Sequence, residues 1–415
     1  MNSIQRLRAS LGDTTLLLLV LGLSLFGVAM VYSAGQLDVP DPAVQGVWKK
    51  QLLFLGVSVV VFLVVTRIQV RWLEWAAVPA YLLGVALLGL TLFIGRGYGT
   101  AQGTKSWIDL GPVLFQPSQF AILATILMLA RVTGNWREPP RSLWTLITPV
   151  VLVLIPMGLV MLQPDLGTAM VFTAILIAVL YWAGTPLGLM FMLVSPVVGL
   201  LLSFNAGLFS VYMVLLVAFL YFYRSYLWEG VTVVVANLAA GTIALPLWNS
   251  LAGYQKARLL VFLDPSIDPR GAGWHVIQSR VAIGSGGLFG KGFTLGSQKR
   301  LAFLPEQHTD FIFSVIGEEF GFFFGTFPVL LVFGIILWRI TRIAERAPDP
   351  FAGIVVFGIF GAWFAHVVVN IGMTVGIMPI TGIPLPFLSY GGSFLLASYL
   401  ALGLVQRIAA EQGRM

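Results

Sequence analysis

Asp264-Pro265 and Asp268-Pro269 place two carboxylates four residues apart, each directly before a proline. Proline fixes its own φ and keeps the residue before it out of helix, so Asp-Pro starts turns and both acids are presented on turns. A carboxylate held there, near a substrate hydroxyl and kept ionised by a neighbouring cation, can serve as a general base. Asp-Pro is also common turn punctuation, and spacing alone does not choose between the two. The surroundings add charge: Lys256, Arg258, Arg270, His275, Arg280, Lys291, Lys299, Arg300, Glu306, His308 and Asp310 all fall between 250 and 310. A structureless connection of that length tends to be functional; the alternative is a solvated surface loop.

Other strings invite chemistry. Gly284-Ser285-Gly286-Gly287-Leu288-Phe289-Gly290-Lys291-Gly292 suggests a phosphate loop, but the spacing needs Gly at 285 and Ser or Thr at 292, so that reading fails. A Gly-rich backbone that lets an anion approach beside Lys291, or a flexible hinge between short helices, remain equally open. Glu318 and Glu319 enter an apolar run, where carboxylates are costly unless paired; adjacent residues cannot share one helix face, so at least one is expected to meet an Arg or a helix terminus. Asp165 in Gln163-Pro164-Asp165-Leu166-Gly167-Thr168 reads as a helix N-cap. Thr381-Gly382-Ile383-Pro384-Leu385-Pro386-Phe387-Leu388-Ser389-Tyr390-Gly391-Gly392-Ser393 breaks helix at membrane depth, which is tolerated only where protein or a water-filled cavity covers the backbone.

The chain that must hold these residues is 58% apolar and 10% charged over 415 residues, with mean hydropathy +0.93. A soluble domain carries about 25% charged residues. The deficit excludes a soluble enzyme, a disordered chain and a nucleic-acid binder, and the net charge of +7 comes from Lys and Arg set singly between apolar runs. With no Cys and three scattered His, any metal must bind through oxygen. The fold class is an all-α polytopic membrane protein. At ~20 apolar residues per crossing, about 12 transmembrane helices are expected, near 14–34, 50–66, 73–94, 113–131, 143–162, 168–184, 187–204, 206–222, 228–249, 311–337, 351–375 and 386–406. The pair meeting at Asn205 is so tightly joined that one member could be re-entrant. Arg67, Arg71, Arg131, Arg137, Arg141, Arg224, Arg339, Arg342, Arg346, Arg407 and Arg414 fall in alternate connections, and Arg6 and Arg8 precede the first crossing. The positive-inside rule then puts both termini in the cytoplasm and the long segment 250–310 outside it.

Taken together, these strings resemble the SEDS family (shape, elongation, division and sporulation), the membrane peptidoglycan glycosyltransferases that include RodA and FtsW. The most specific part is Phe262-Leu263-Asp264-Pro265-Ser266-Ile267-Asp268-Pro269-Arg270-Gly271-Ala272-Gly273-Trp274-His275, followed by Gln278-Ser279 and Ala282-Ile283-Gly284-Ser285-Gly286-Gly287-Leu288. The strings at 304–313 and 381–393 complete it, and Gly290-Lys291-Gly292-Phe293 looks more like the elongation branch than the division branch. The resemblance implies polymerisation of lipid II outside the bacterial cytoplasmic membrane by an inverting glycosyl transfer. It makes Asp268 the catalytic base toward the acceptor 4-hydroxyl. Lys256, Arg258, Asp264, Lys291, Glu306, His308, Gln163, Asp165, Lys105 and Ser389 are the expected substrate-binding residues. It implies a divalent cation (Mg or Mn) or Lys and Arg on the leaving diphosphate, no nucleotide, and a class B penicillin-binding protein as transpeptidase partner. A lipid-linked precursor flippase or transporter, or a weakened scaffold of the synthesis complex, are the competing readings.

Three departures from the family pattern stand out. Gln119 and Ile122 in Gln116-Pro117-Ser118-Gln119-Phe120-Ala121-Ile122 replace the usual Glu and Lys, and Ser106 in Lys105-Ser106-Trp107 replaces an Arg. Relatives usually have ten crossings, with one where this chain has three, so 187–222 reads as an inserted helical pair within a single domain, 1–415. Two extra crossings preserve the side on which the long segment emerges.

Overall fold

The structure is a computed structural model describing residues 12–412 except 40, 42–43, 98–103, 112, 252, 265–266, 269–271 and 305. In a bilayer every backbone polar group must be satisfied within its own segment, which is why the apolar runs are helices. They are α1 (Thr14–Ala34), α2 (Val47–Val65), α3 (Val70–Ile94), α4 (Pro117–Thr133), α5 (Ile147–Leu162, entered through a 3-10 turn at Leu143–Leu146), α6 (Leu166–Trp182), α7 (Leu187–Leu202), α8 (Ala206–Tyr223) and α9 (Leu227–Ser250). A small antiparallel hairpin, β1 (Ile108–Asp109) and β2 (Leu114–Phe115), precedes α4.

The segment 250–310 departs from expectation, because about half of it is helical. It holds α10 (Gly253–Leu263), α11 (Ala272–Gly286) and the single turn α12 (Ser297–Arg300). α11 packs along α13 (Ile312–Gly321), with the Ser279 and Ser314 hydroxyls 2.7 Å apart. The run expected to cross at 311–337 is interrupted: α13 ends at Gly321 (φ 68°), a π turn spans Phe322–Thr326, and α14 (Phe327–Glu345) continues. α15 (Pro350–Val375) and α16 (Gly392–Gln412) complete the chain. α16 starts six residues later than expected because the Pro- and Gly-rich string before it stays irregular.

Among the described residues nine helical segments are long and apolar enough to cross a membrane, and α4, α6 and α7 are apolar but only 16–17 residues long. At 1.5 Å per residue such helices reach about 25 Å, short of the ~30 Å hydrocarbon core. α15 is the hub, packed against α4, α6 and α14, while α16 packs on α2 and α3 on α4. Asp13 caps α1 and also binds Arg339 of α14 at 2.6 Å, and the Gln406 side chain of α16 donates to its carbonyl. The start of α1 and the ends of α14 and α16 therefore lie on one face, that of Arg339. α7, α8 and α9 form a separate flank with its own apolar cluster, reaching the main body through Leu146 and Leu180. Asn237 staples this flank by donating to the Ser195 hydroxyl at 2.9 Å.

Candidate active site

A cavity of about 410 Å3 opens on the face opposite the arginines. The short helices α4 and α6 give it depth, since their N-terminal residues Gln116, Gln119, Asp165 and Thr168 line it. Asp165 does cap α6, accepting from the Thr168 amide at 3.0 Å and its hydroxyl at 2.8 Å, yet its carboxylate also faces the cavity. Burial pushes its pKa up, while the Thr168 bonds and Arg258 pull it down.

Two irregular strings form the opposite wall and are stitched together by backbone bonds. Tyr390 N donates to the His308 carbonyl at 2.9 Å, and the Ser389 hydroxyl donates to that of Thr309 at 2.6 Å. Asn370 of α15 donates to the carbonyls of both Asp310 (2.9 Å) and Ile383 (2.7 Å). This fixes Glu306, His308 and Asp310 in the cavity lining. Burial and then Glu306 push Asp310 up to about 7, against the Thr309 hydroxyl and Arg258. Burial lowers His308, opposed by Glu306 and Asp41. The cations in the lining are Arg258, delivered by α10, and Lys50, at the start of α2.

Of the residues expected to bind substrate, Arg258, Asp165, Glu306 and His308 meet in this one cavity. The doubled aspartates lie outside its lining, Asp264 exposed just after α10 and Asp268 half-buried just before α11; their prolines fall outside the described residues. The remaining candidates are placed elsewhere for structural reasons. Lys291 binds Glu318 at 2.8 Å and the Ser297 hydroxyl at 2.7 Å. Gln163 is buried and ties α5 to the Leu88 carbonyl and Thr91 hydroxyl of α3. Ser389 is a buried clasp within the wall, accepting from Leu385 N. Lys105 is exposed and Lys256 half-buried, and they donate to the carbonyls of Leu92 (3.4 Å) and Asn249 (3.1 Å).

The Gly-rich string is neither an anion cradle nor a hinge. A Cβ on Gly286 would collide with the Gly317 carbonyl, one on Gly290 with that of Glu319, and one on Gly321 with Gly290 N, so the string is a backbone-to-backbone seam. The two glutamates beside it are both paired. Glu318 accepts from the first amides of α12, Gln298 N (2.9 Å) and Lys299 N (3.3 Å), as the helix-terminus reading required. Glu319 binds Lys299 at 2.8 Å and accepts from the Ser33 hydroxyl, so its partner is a lysine rather than an arginine.

Sequence reasoning missed Lys50 and Asp310 as lining residues. Lys50 carried a signal: with Lys49 it puts charge in a short link on the side where the short links hold little Lys or Arg. Gln119 lines both this cavity and a small hollow of about 20 Å3 beneath it, where Ile122 packs beside Trp363. Among the described residues no group of three or more His, Asp or Glu is placed to hold a metal ion.

The chain matches the FTSW_RODA_SPOVE model, described as cell cycle protein, over residues 13–212 and 188–414. It is 36% identical to the peptidoglycan glycosyltransferase RodA of Treponema pallidum (strain Nichols), over 96% of this chain and 98% of that protein. It is 36% identical to the peptidoglycan glycosyltransferase MrdB of Escherichia coli (strain K12), over 95% and 93%. Among solved structures it resembles a chain of a peptidoglycan synthase complex that coordinates polymerization and crosslinking, with TM-score 0.69, 28% identity and coverage of 97% and 99%. It also resembles the Thermus thermophilus rod shape determining protein RodA as an aspartate-to-alanine mutant, with TM-score 0.64, 28% identity and coverage of 97% and 98%.

Proposed function

This chain belongs to the FtsW/RodA/SpoVE family, and from that premise we propose that it is a peptidoglycan glycosyltransferase that polymerises lipid II into glycan strands during cell elongation. The observation that carries the reading is the mixed-charge cavity under the long segment: α10 places Arg258 in its lining, and Asp268 follows five residues beyond that helix. In the transfer, Asp268 takes the proton from the acceptor 4-hydroxyl as that oxygen bonds to the donor's anomeric carbon. The bond from that carbon to the diphosphate breaks on the opposite side, inverting the centre, and undecaprenyl diphosphate departs with the electron pair. Arg258 and Lys50 stabilise the leaving charge in a site partly withdrawn from water. The reaction requires the segment after α10 to bring the Asp268 carboxylate over the cavity mouth.

Among the described residues the donor set does not fit a resident metal, and in the proposed transfer Arg258 and Lys50 alone meet the diphosphate. We also read 187–222 as an insertion, supported by its place in a flank that has its own apolar cluster. A class B penicillin-binding protein is the proposed partner, supported by the synthase complex among the structural neighbours. The protein is placed in the bacterial cytoplasmic membrane, termini inside and cavity outside. Purified protein given labelled lipid II should form glycan polymer. Lipid II translocation across vesicles without polymer would replace this reading with a flippase.

A further inference from the structure

Among the described residues, Asp165, Glu306 and Asp310 line the same cavity as two cations, Lys50 and Arg258. A cavity with three ionised carboxylates would repel the diphosphate it must accept. Asp310 sits amid all of these groups. Glu306 acts on it from its own turn, Asp165 from the cap of α6 and Arg258 from α10, while His308 and Lys50 share the cavity lining with it. Its main chain is pinned by Asn370, and its carboxylate lies against Gly382, 3.2 Å from where a Cβ there would stand, so the wall at that point leaves room for the acid only because residue 382 is glycine.

We propose that Asp310 acts as a neutral carboxylic acid that donates a hydrogen bond to a diphosphate oxygen of bound lipid II. The inference rests on the reading of the cavity as the lipid II site and adds a substrate-contacting residue to it. Burial and Glu306 keep the proton on Asp310 up to about pH 7. The neutral acid removes one of three negative charges and supplies a donor where a carboxylate would repel. An incoming diphosphate holds that proton more firmly still, so binding takes up a proton when the free site has lost it.

The test measures lipid II binding at pH 6 and pH 8 to full-length protein in nanodiscs, in an Asp268→Asn background that blocks turnover. The lipid II diphosphate is esterified on both sides and does not titrate in this range. The acid fraction of a group with pKa near 7 falls about tenfold between these pH values. Binding should therefore weaken about tenfold from pH 6 to pH 8, and adding Asp310→Asn, which keeps a neutral donor, should bring that ratio close to one. A ratio that survives Asp310→Asn, or no pH dependence before it, overturns the proposal. Infrared spectra of the unmutated protein give a check that needs no Asp310 variant. A protonated-carboxyl band that fades as pH rises through 7 and is restored by lipid II supports the proposal, and its absence at pH 6 overturns it. A parallel polymerisation assay with Asp268 intact reports on the glycosyltransferase reading separately, since that reading can fail while the binding ratio still stands.

Discussion

Lys299 and Glu319 are both fully buried, with the lysine also donating to the Ser33 carbonyl and hydroxyl at 2.8 Å. Removing one partner strands a charge away from water, which typically costs about 3–5 kcal/mol, whereas replacing both with apolar groups is often neutral. Lys299→Met should therefore lower the melting temperature of the solubilised protein sharply, and adding Glu319→Leu should recover most of the loss. The sign for Asp310 is different. Its folded pKa of about 7 lies above the ordinary carboxylate value, so its stabilising share is present in acid and lost as pH rises through 7. Asp310→Asn should raise stability at pH 8 relative to wild type and change it little at pH 4, checked by thermal melts at both. Arg258, Glu306, His308 and Asp165 were legible as candidates because their residue types sit in the long segment or at a helix start. The pairing of Lys291 was not legible, because its partner Glu318 lies 27 positions away and spacing does not show which charges meet.

Apolar periodicity made the helices legible, since a chain this poor in charge has few other ways to satisfy its backbone in lipid. Helices α10 to α12 were not legible, because α11 owes its place to a seam of glycines whose partners are backbone atoms of α13. Substitutions along one string separate the seam from its surroundings. Gly290, with φ 82° and the Glu319 carbonyl against it, should not accept a side chain: Gly290→Ala is expected to cost more than about 1 kcal/mol. Gly284 has open space around it inside α11, so Gly284→Ala should be neutral or stabilising by up to about 1 kcal/mol. Melting curves of the two variants, six residues apart in one glycine string, check the contrast. Equal losses in both would contradict the seam.

Across the whole molecule, the start of α1, the ends of α14 and α16 and the Asp13–Arg339 pair share one face, while the cavity and the segment 250–310 share the other. The chain has no cysteine, so single introduced cysteines report sidedness cleanly. Ile267→Cys, exposed beside Asp268, should react with an impermeant maleimide in intact cells, and Asn135→Cys should react only after lysis; the reverse pattern would invert the topology. The central claim is that this architecture performs glycosyl transfer with Asp268 as base, although Asp268 stands outside the cavity lining. It is tested most directly by lipid II polymerisation with wild type and Asp268→Ala, alongside lipid II affinity. Loss of the base should lower kcat by at least about 100-fold, the lower end of what a positioned general base contributes, while lipid II still binds. An Asp268→Ala protein that polymerises lipid II as fast as wild type would contradict it.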